Sequence, residues 1–210
     1  MALNLRHKLD EIITLQPANV ADCADLARLD NVASHGISVW YWQMVGSPSP
    51  QVSISEEAAL KFGAQRMASA DSSFGFKNAV IARVNEKIAG FACGFPWMRN
   101  DVDIAKDQNP VLKPVSELFA QCQDGWWLDG LAVYVQYRNL GLGGRLLDDC
   151  FRRAKMAGKN RLFLAAEDSN EGALALYYSR GFVERDRRDC FPYNKEVTTK
   201  YWLLLEAQIT

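Results

Sequence analysis

The sequence predicts a mixed α+β domain built on one mixed sheet, and three observations carry this. Apolar strand-like runs alternate with amphipathic helical stretches along most of the chain. Two β-leaning runs, "NAVIARVN" and "IAGFACGF", are joined tightly enough by "NEK" to form an antiparallel hairpin. Later, "WWLDGLAVYV" and "RLFLAA" are separated by a helix, which requires a parallel pair with a right-handed crossover. With 210 residues, 49% hydrophobic and 23% charged, the chain can bury a substantial core as one large domain or a tight pair of subdomains.

The elements follow in order. "EIITL" is a strand, "QPAN" a turn, and the next stretch a helix with Val20, Cys23, Leu26 and Leu29 on one face. "HGISVWYWQM" is compatible with helix or loop. After the Gly46–Pro50 loop, Ser55 caps a helix over "EEAALKFGAQRMAS", with Glu56 and Glu57 in its first turn. The hairpin comes next, then a long polar segment from Pro96 to Asp124, carrying Asp101, Asp103, Asp107, Pro110 and Pro114, with a short helix around Val115 to Cys122. Beyond "WWLDGLAVYV" lies a helix with Leu142, Leu146, Leu147, Cys150, Phe151 and Ala154 on one stripe, stopped by Gly158. "RLFLAA" leads to a helix over "NEGALALYYSRGF", capped by Asn170 and ended by Gly181, with Ala173, Leu176, Tyr177 and Arg180 on one side. Strands around Val183 to Cys190 and Thr199 to Glu206 finish the chain.

Composition excludes several classes. The start has no basic segment followed by a clean apolar run, and the longest apolar stretch, "IAGFACGFPWM", is too short to span a bilayer. Cys23, Cys93, Cys122, Cys150 and Cys190 are scattered, with no Cys-x-x-Cys pair and only His7 and His35 as imidazoles, which points to a reducing cytoplasm and no metal site. A net charge of -1 gives no general attraction to nucleic acid or membrane, and "RDRR" at 185–188 is interrupted by Asp186 and reads as a solvated strand end.

The chemistry-bearing stretch is "YRNLGLGGRLLD", where Gly141, Gly143 and Gly144 open a helix. Bare backbone at a helix N-terminus is an anion cradle. No lysine follows the glycines, which removes the P-loop, and Leu146 stands where a dinucleotide fingerprint needs its third glycine. What remains, Arg138-x-x-Gly141-x-Gly143 between a strand ending in "LAV" and a helix, resembles motif A of the GNAT superfamily of acetyl-CoA-dependent N-acetyltransferases. "NEGALALYYSRGF" resembles that family's motif B, in the right order and one strand later. The resemblance covers about residues 79–190, the expected cofactor-binding core of a single domain over 1–210.

The resemblance implies a central, strongly twisted mixed sheet of about six to seven strands flanked by helices, its central parallel strands splayed apart. It implies acetyl-CoA as cosubstrate, with the pyrophosphate held by Arg138, Asn139, Leu140, Gly141, Leu142, Gly143, Gly144 and Arg145. The pantetheine arm would lie along Leu131, Ala132 and Val133, with Asn170 and Ala173 also at the cofactor. Tyr177 would protonate the leaving thiolate, and a backbone N–H near Leu131 would polarise the carbonyl as acetyl passes directly to a primary amine of a small molecule or peptide through a tetrahedral intermediate.

Each residue has a plainer structural role as an alternative. Gly143 can serve close helix packing, Arg138 is otherwise a solvated turn arginine, Asn170 an N-cap, and Tyr177 a core tyrosine, with Tyr178 its neighbour. Cys150 falls on the buried stripe and has no histidine near it in sequence. Trp127 and Ala165 stand where some relatives carry a glutamate. Asp129, on the same strand face as Trp127, is therefore the substitute base, against a structural hydrogen bond, Glu167 or a water chain. The acceptor side would use "HGISVWYWQM" and the loop from Asn100 to Asp107, with Trp40, Trp42 and the aspartates receiving a cation, or else forming a homodimer surface or being ordinary loop composition. His35 reads as a turn histidine. A GNAT module that binds or senses acyl-CoA without turnover is the alternative function.

Overall fold

The computed structural model describes residues 12–49, 51–97, 109–195 and 197–210. Its strands are β1 (Ile13–Pro17), β2 (Ala79–Val84), β3 (Lys87–Trp97), β4 (Gly125–Val133), β5 (Arg161–Glu167), β6 (Val183–Asp189) and β7 (Tyr201–Gln208). The helices are α1 (Cys23–Ala33), α2 (Ile37–Gly46), α3 (Glu56–Met67), α4 (Lys113–Gln121), α5 (Leu142–Met156) and α6 (Glu171–Ser179). Hydrogen bonding orders the strands β1-β2-β3-β4-β5-β7-β6 in one seven-stranded mixed sheet. Backbone packing divides the chain into two compact units, one of residues Met1–Gly94 and Gly130–Asp148, the other of Phe95–Asp129 and Asp149–Thr210. Asp101, Asp103 and Asp107, like His7, lie outside the described residues.

In the first unit, β2 pairs antiparallel with both β1 and β3. The hairpin turn places Asn85 and Glu86 at φ +47° and +65°, the mirror-image geometry that matches strand twist. Leu26, Leu29, Val39, Trp42, Ala59, Ile81, Phe91 and Ala132 form the core. The undecided "HGISVWYWQM" is helical, and its Trp42 ring packs on α3 where Gly63 makes room. A Cβ at Gly63 would stand 2.5 Å from that ring. Alanine normally favours a helix interior by about 1 kcal/mol over glycine. Here Gly63→Ala should instead destabilise by about 1–3 kcal/mol through overpacking, measured by urea unfolding.

Val20 departs from the expected stripe. It is exposed while Cys23, Leu26 and Leu29 are buried, because Val20–Asp22 form a 3-10 turn whose tighter winding takes Val20 off the α1 face. Asp22 in that turn is 5% exposed, accepts from the Asn19 N–H, and pairs with Arg83 at 2.8 Å. Asp22→Ala would strand the half-enclosed guanidinium, and a loss of about 3–5 kcal/mol of folding stability is expected in denaturant titration.

In the second unit, β7 pairs antiparallel with β5 and β6. The Phe119 ring packs tilted against Trp97 and edge-on against Trp127, with ring centroids 3.9 and 4.3 Å apart. The α4 helix lies where the sequence places it, and Gly158, at φ +71°, ends α5 as expected. Arg180 was expected on the apolar side of α6 but is exposed beyond its end, as the C-cap. The arginines of "RDRR" are matched by carboxylates: Arg185 to Glu206, Arg187 to Glu184, and Arg188 to Glu117 and Asp186. These charges suit an edge strand, where they discourage pairing with another chain. Among the described residues no helix is long and apolar enough to cross a membrane.

Candidate functional site

The expected site residues fall in both units. In the first unit, alternation along β4 turns Ala132 into the core and leaves Leu131 and Val133 half-buried on the other face. Gly90 on β3 lets the strands approach, since a Cβ there would meet the Ala132 carbonyl at 2.6 Å. Tyr134 N–H then donates to the Ala89 carbonyl at 2.9 Å, closing the strand pair before the chain turns through Val135–Tyr137.

The loop that follows takes its shape from two left-handed residues, Asn139 at φ +65° and Gly141 at φ +76°. Arg138 is exposed, and its Nε donates to the Val133 carbonyl at 3.3 Å, tying the guanidinium to the end of β4. Helix α5 starts at Leu142, and its first turn closes when Arg145 N–H donates to the Gly141 carbonyl at 3.2 Å. The N–H groups of Leu142, Gly143 and Gly144 precede that bond, so they have no acceptor within the helix. Leu142 is buried and fixes the loop from below, Leu140 is half-buried, and Arg145 is exposed. Free N–H groups at a glycine-rich helix start have the chemistry of a backbone anion cradle. A pyrophosphate fits its chemistry.

In the second unit, β4 and β5 pair in parallel through Trp126–Leu162 and Trp127–Phe163, and the register extends no further along the described residues. Asn170 caps α6, its Oδ1 accepting from Ala173 N–H at 3.2 Å. Ala173 is half-buried. Of the two adjacent tyrosines, Tyr178 is exposed and Tyr177 is buried, its ring 5.5 Å from that of Phe182. Burial pushes the Tyr177 phenol well above the ordinary tyrosine range, and the neighbouring Cys150 adds to the rise. Its proton is retained throughout the physiological range.

Asp129 is exposed, and Trp127 Nε1 donates to its Oδ1 at 3.2 Å, so the two share a strand face as expected. Glu167 is buried and accepts from the Tyr193 hydroxyl at 3.5 Å. Cys150 is fully buried and its thiol is pushed up to about 12, first by burial, which makes it inert as a nucleophile. All five cysteines are free thiols.

On the acceptor side, Trp42 is corrected from candidate to core residue, because its ring is spent on Gly63 and 5% exposed. Trp40 instead lines a cavity of about 590 Å³ with Gln43, Met44, Ser47 and Val52. His35, at φ +49°, is the turn residue before Gly36. One polar residue escaped the sequence reading. Asp30 follows Leu26 and Leu29 on the apolar stripe of α1, a carboxylate at core spacing, and it faces β4 at Gly130.

The model of the Acetyltransferase (GNAT) family matches residues 41–182, more than half of the chain. The chain belongs to the GNAT family of acetyltransferases. Solved structures agree on the fold. A crystal structure of an acetyltransferase is 22% identical, covering 94% of this chain and 100% of its own, at a TM-score of 0.63. The yncA protein of Salmonella typhimurium, solved with acetyl-CoA, is 16% identical over 95% of each chain, at 0.57. The PaiA N-acetyltransferase of Thermoplasma acidophilum, in complex with coenzyme A, is 14% identical over 94% of this chain and 99% of its own, at 0.56. A search of curated protein sequences gave no match.

Proposed function

We propose that the chain is an acetyl-CoA-dependent N-acetyltransferase acting directly on a primary amine of a small molecule or peptide in the cytoplasm. The observation that carries this is the loop Arg138–Arg145, which presents three helix-start N–H groups behind bare glycines in a chain of the GNAT family. When bound, acetyl-CoA supplies an activated acetyl group. The loop N–H groups hold its pyrophosphate, and Arg138 and Arg145 add positive charge at the rim. Leu131, Ala132 and Val133 offer the strand edge along which the pantetheine arm lies, and Asn170 and Ala173 complete the contacts.

Leu131 N–H polarises the thioester carbonyl, and Tyr177 gives its proton to the leaving sulfur. Two structural neighbours are consistent with an amine or peptide acceptor: the ribosomal-protein-S18-alanine N-acetyltransferase of Escherichia coli, and a NatC complex bound to a Gag peptide and CoA. A non-catalytic acyl-CoA sensor is the second reading. The tyrosine at position 177, in the register of motif B, favours catalysis over it.

The test is release of free CoA thiol from acetyl-CoA over polyamines, amino acids, aminoglycosides and peptide N-termini. Amine-dependent release is expected. Saturable acetyl-CoA binding with no release on any amine would instead favour the sensor.

A further inference from the structure

We propose that Asp30 is the acceptor-side catalytic carboxylate, receiving the ammonium form of the amine and taking its proton beside β4. This deepens the acetyltransferase reading above and rests on it. Asp30 Oδ2 accepts from the Ser38 hydroxyl at 2.7 Å, and Ser38 in turn is 2.8 Å from the Ser34 hydroxyl. This chain of hydroxyls spans the α1–α2 turn, and the Asn31 side chain braces it by accepting from Val39 N–H. The carboxylate is thereby fixed in orientation, with its second oxygen turned toward the sheet.

That oxygen, Oδ1, lies 3.4 Å from where a Cβ of residue 130 would stand. Residue 130 is a glycine, so nothing but backbone separates the carboxylate from β4 there, one residue before Leu131. Phe91, 1% exposed, forms the other wall, its ring 2.9 Å from the same Cβ position. An alanine would already crowd Phe91. Gly130 thus lets a carboxylate on an otherwise apolar helix stripe approach the β4 backbone, next to the strand residue whose N–H would polarise the thioester.

Burial pushes the Asp30 carboxyl up to about 6, the Ser38 hydrogen bond offsetting part of the rise. A base in that range is better matched to a neutral operating pH than an ordinary carboxylate. Asp129 sits on the opposite face of β4 by strand alternation, exposed and tied to Trp127.

The step balances simply. Asp30 takes one proton from R–NH3+, and the freed lone pair forms the N–C bond. The C–S electron pair leaves with sulfur, which takes the Tyr177 proton. The remaining surplus proton leaves the amide nitrogen and restores Tyr177 through solvent, and Asp30 returns its own proton to solvent. The products are amide, thiol and one released proton.

The test uses the full chain carrying Asp30→Asn, Asp30→Ala or Asp129→Asn, with thiol release measured on the amine panel and acetyl-CoA affinity measured by calorimetry. Asp30→Asn should lower kcat on every accepted amine by about a hundredfold or more, while acetyl-CoA affinity stays unchanged. Asp30→Ala should lose as much and regain activity with added formate, which a merely structural aspartate would not do. If both Asp30 variants stay within threefold of the parent, or if Asp129→Asn alone carries the loss, Asp30 is not the base. If the unmodified chain binds acetyl-CoA and acetylates no amine, the acetyltransferase reading itself fails, and this assignment fails with it.

Discussion

Gly143→Asp should abolish acetyl-CoA binding while leaving the fold intact. Position 143 is in the first turn of α5, where the N–H groups of Leu142, Gly143 and Gly144 have no helical acceptor. An aspartate there places a carboxylate in the cradle itself, and like charges brought together at a binding surface cost several kcal/mol. At tenfold per 1.4 kcal/mol, affinity should fall by about a hundredfold or more. The same substitution favours the helix, since glycine is a poor helix former and an acidic side chain suits a helix N-terminus. Residue 143 has no positive φ to strain. Loss of binding with unchanged or raised thermal stability is therefore the expected pair of results in calorimetry and thermal melts.

Tyr177→Phe is expected to have the next largest effect, on rate rather than binding. Phenylalanine keeps the ring against Phe182 and removes only the hydroxyl. If Tyr177 is the proton donor to sulfur, kcat should drop by about 10²–10⁴, with the KM for acetyl-CoA within a few-fold of the parent. The raised phenol pKa carries a condition: a weakly acidic donor gives up its proton readily only to a base whose own affinity is raised by the same dry surroundings. A thiolate leaving next to Tyr177 would meet that condition. Unchanged kcat would make Tyr177 a core residue only.

Much of this was legible because it rests on local backbone chemistry. The Ser55 and Asn170 caps, the Gly158 stop and the Asn85–Glu86 turn are all properties of a few adjacent residues, and each is found as read. What was not legible depends on packing between distant segments. "HGISVWYWQM" has no polar face to reveal its period, and it becomes a helix because Gly63, far along the chain, accepts the Trp42 ring. Val20 keeps helical spacing but sits in a 3-10 turn. Asp30 looks like a solvated helix charge until the fold sets it against Gly130. The strand-by-strand reading also left the β4–β5 register open, and its short parallel pairing at Trp126 and Trp127 appears only in three dimensions.

The central claim is that the Arg138–Arg145 loop recognises the pyrophosphate of CoA. Calorimetric titration of the unmodified chain with acetyl-CoA, and separately with acetyl-pantetheine, which carries the same thioester without the pyrophosphate, tests it most directly. Saturable one-to-one binding of acetyl-CoA is expected, with acetyl-pantetheine weaker by about a hundredfold or more, since each 1.4 kcal/mol of lost phosphate contact is tenfold in affinity. Equal affinity for the two ligands, or no binding of acetyl-CoA, would contradict it.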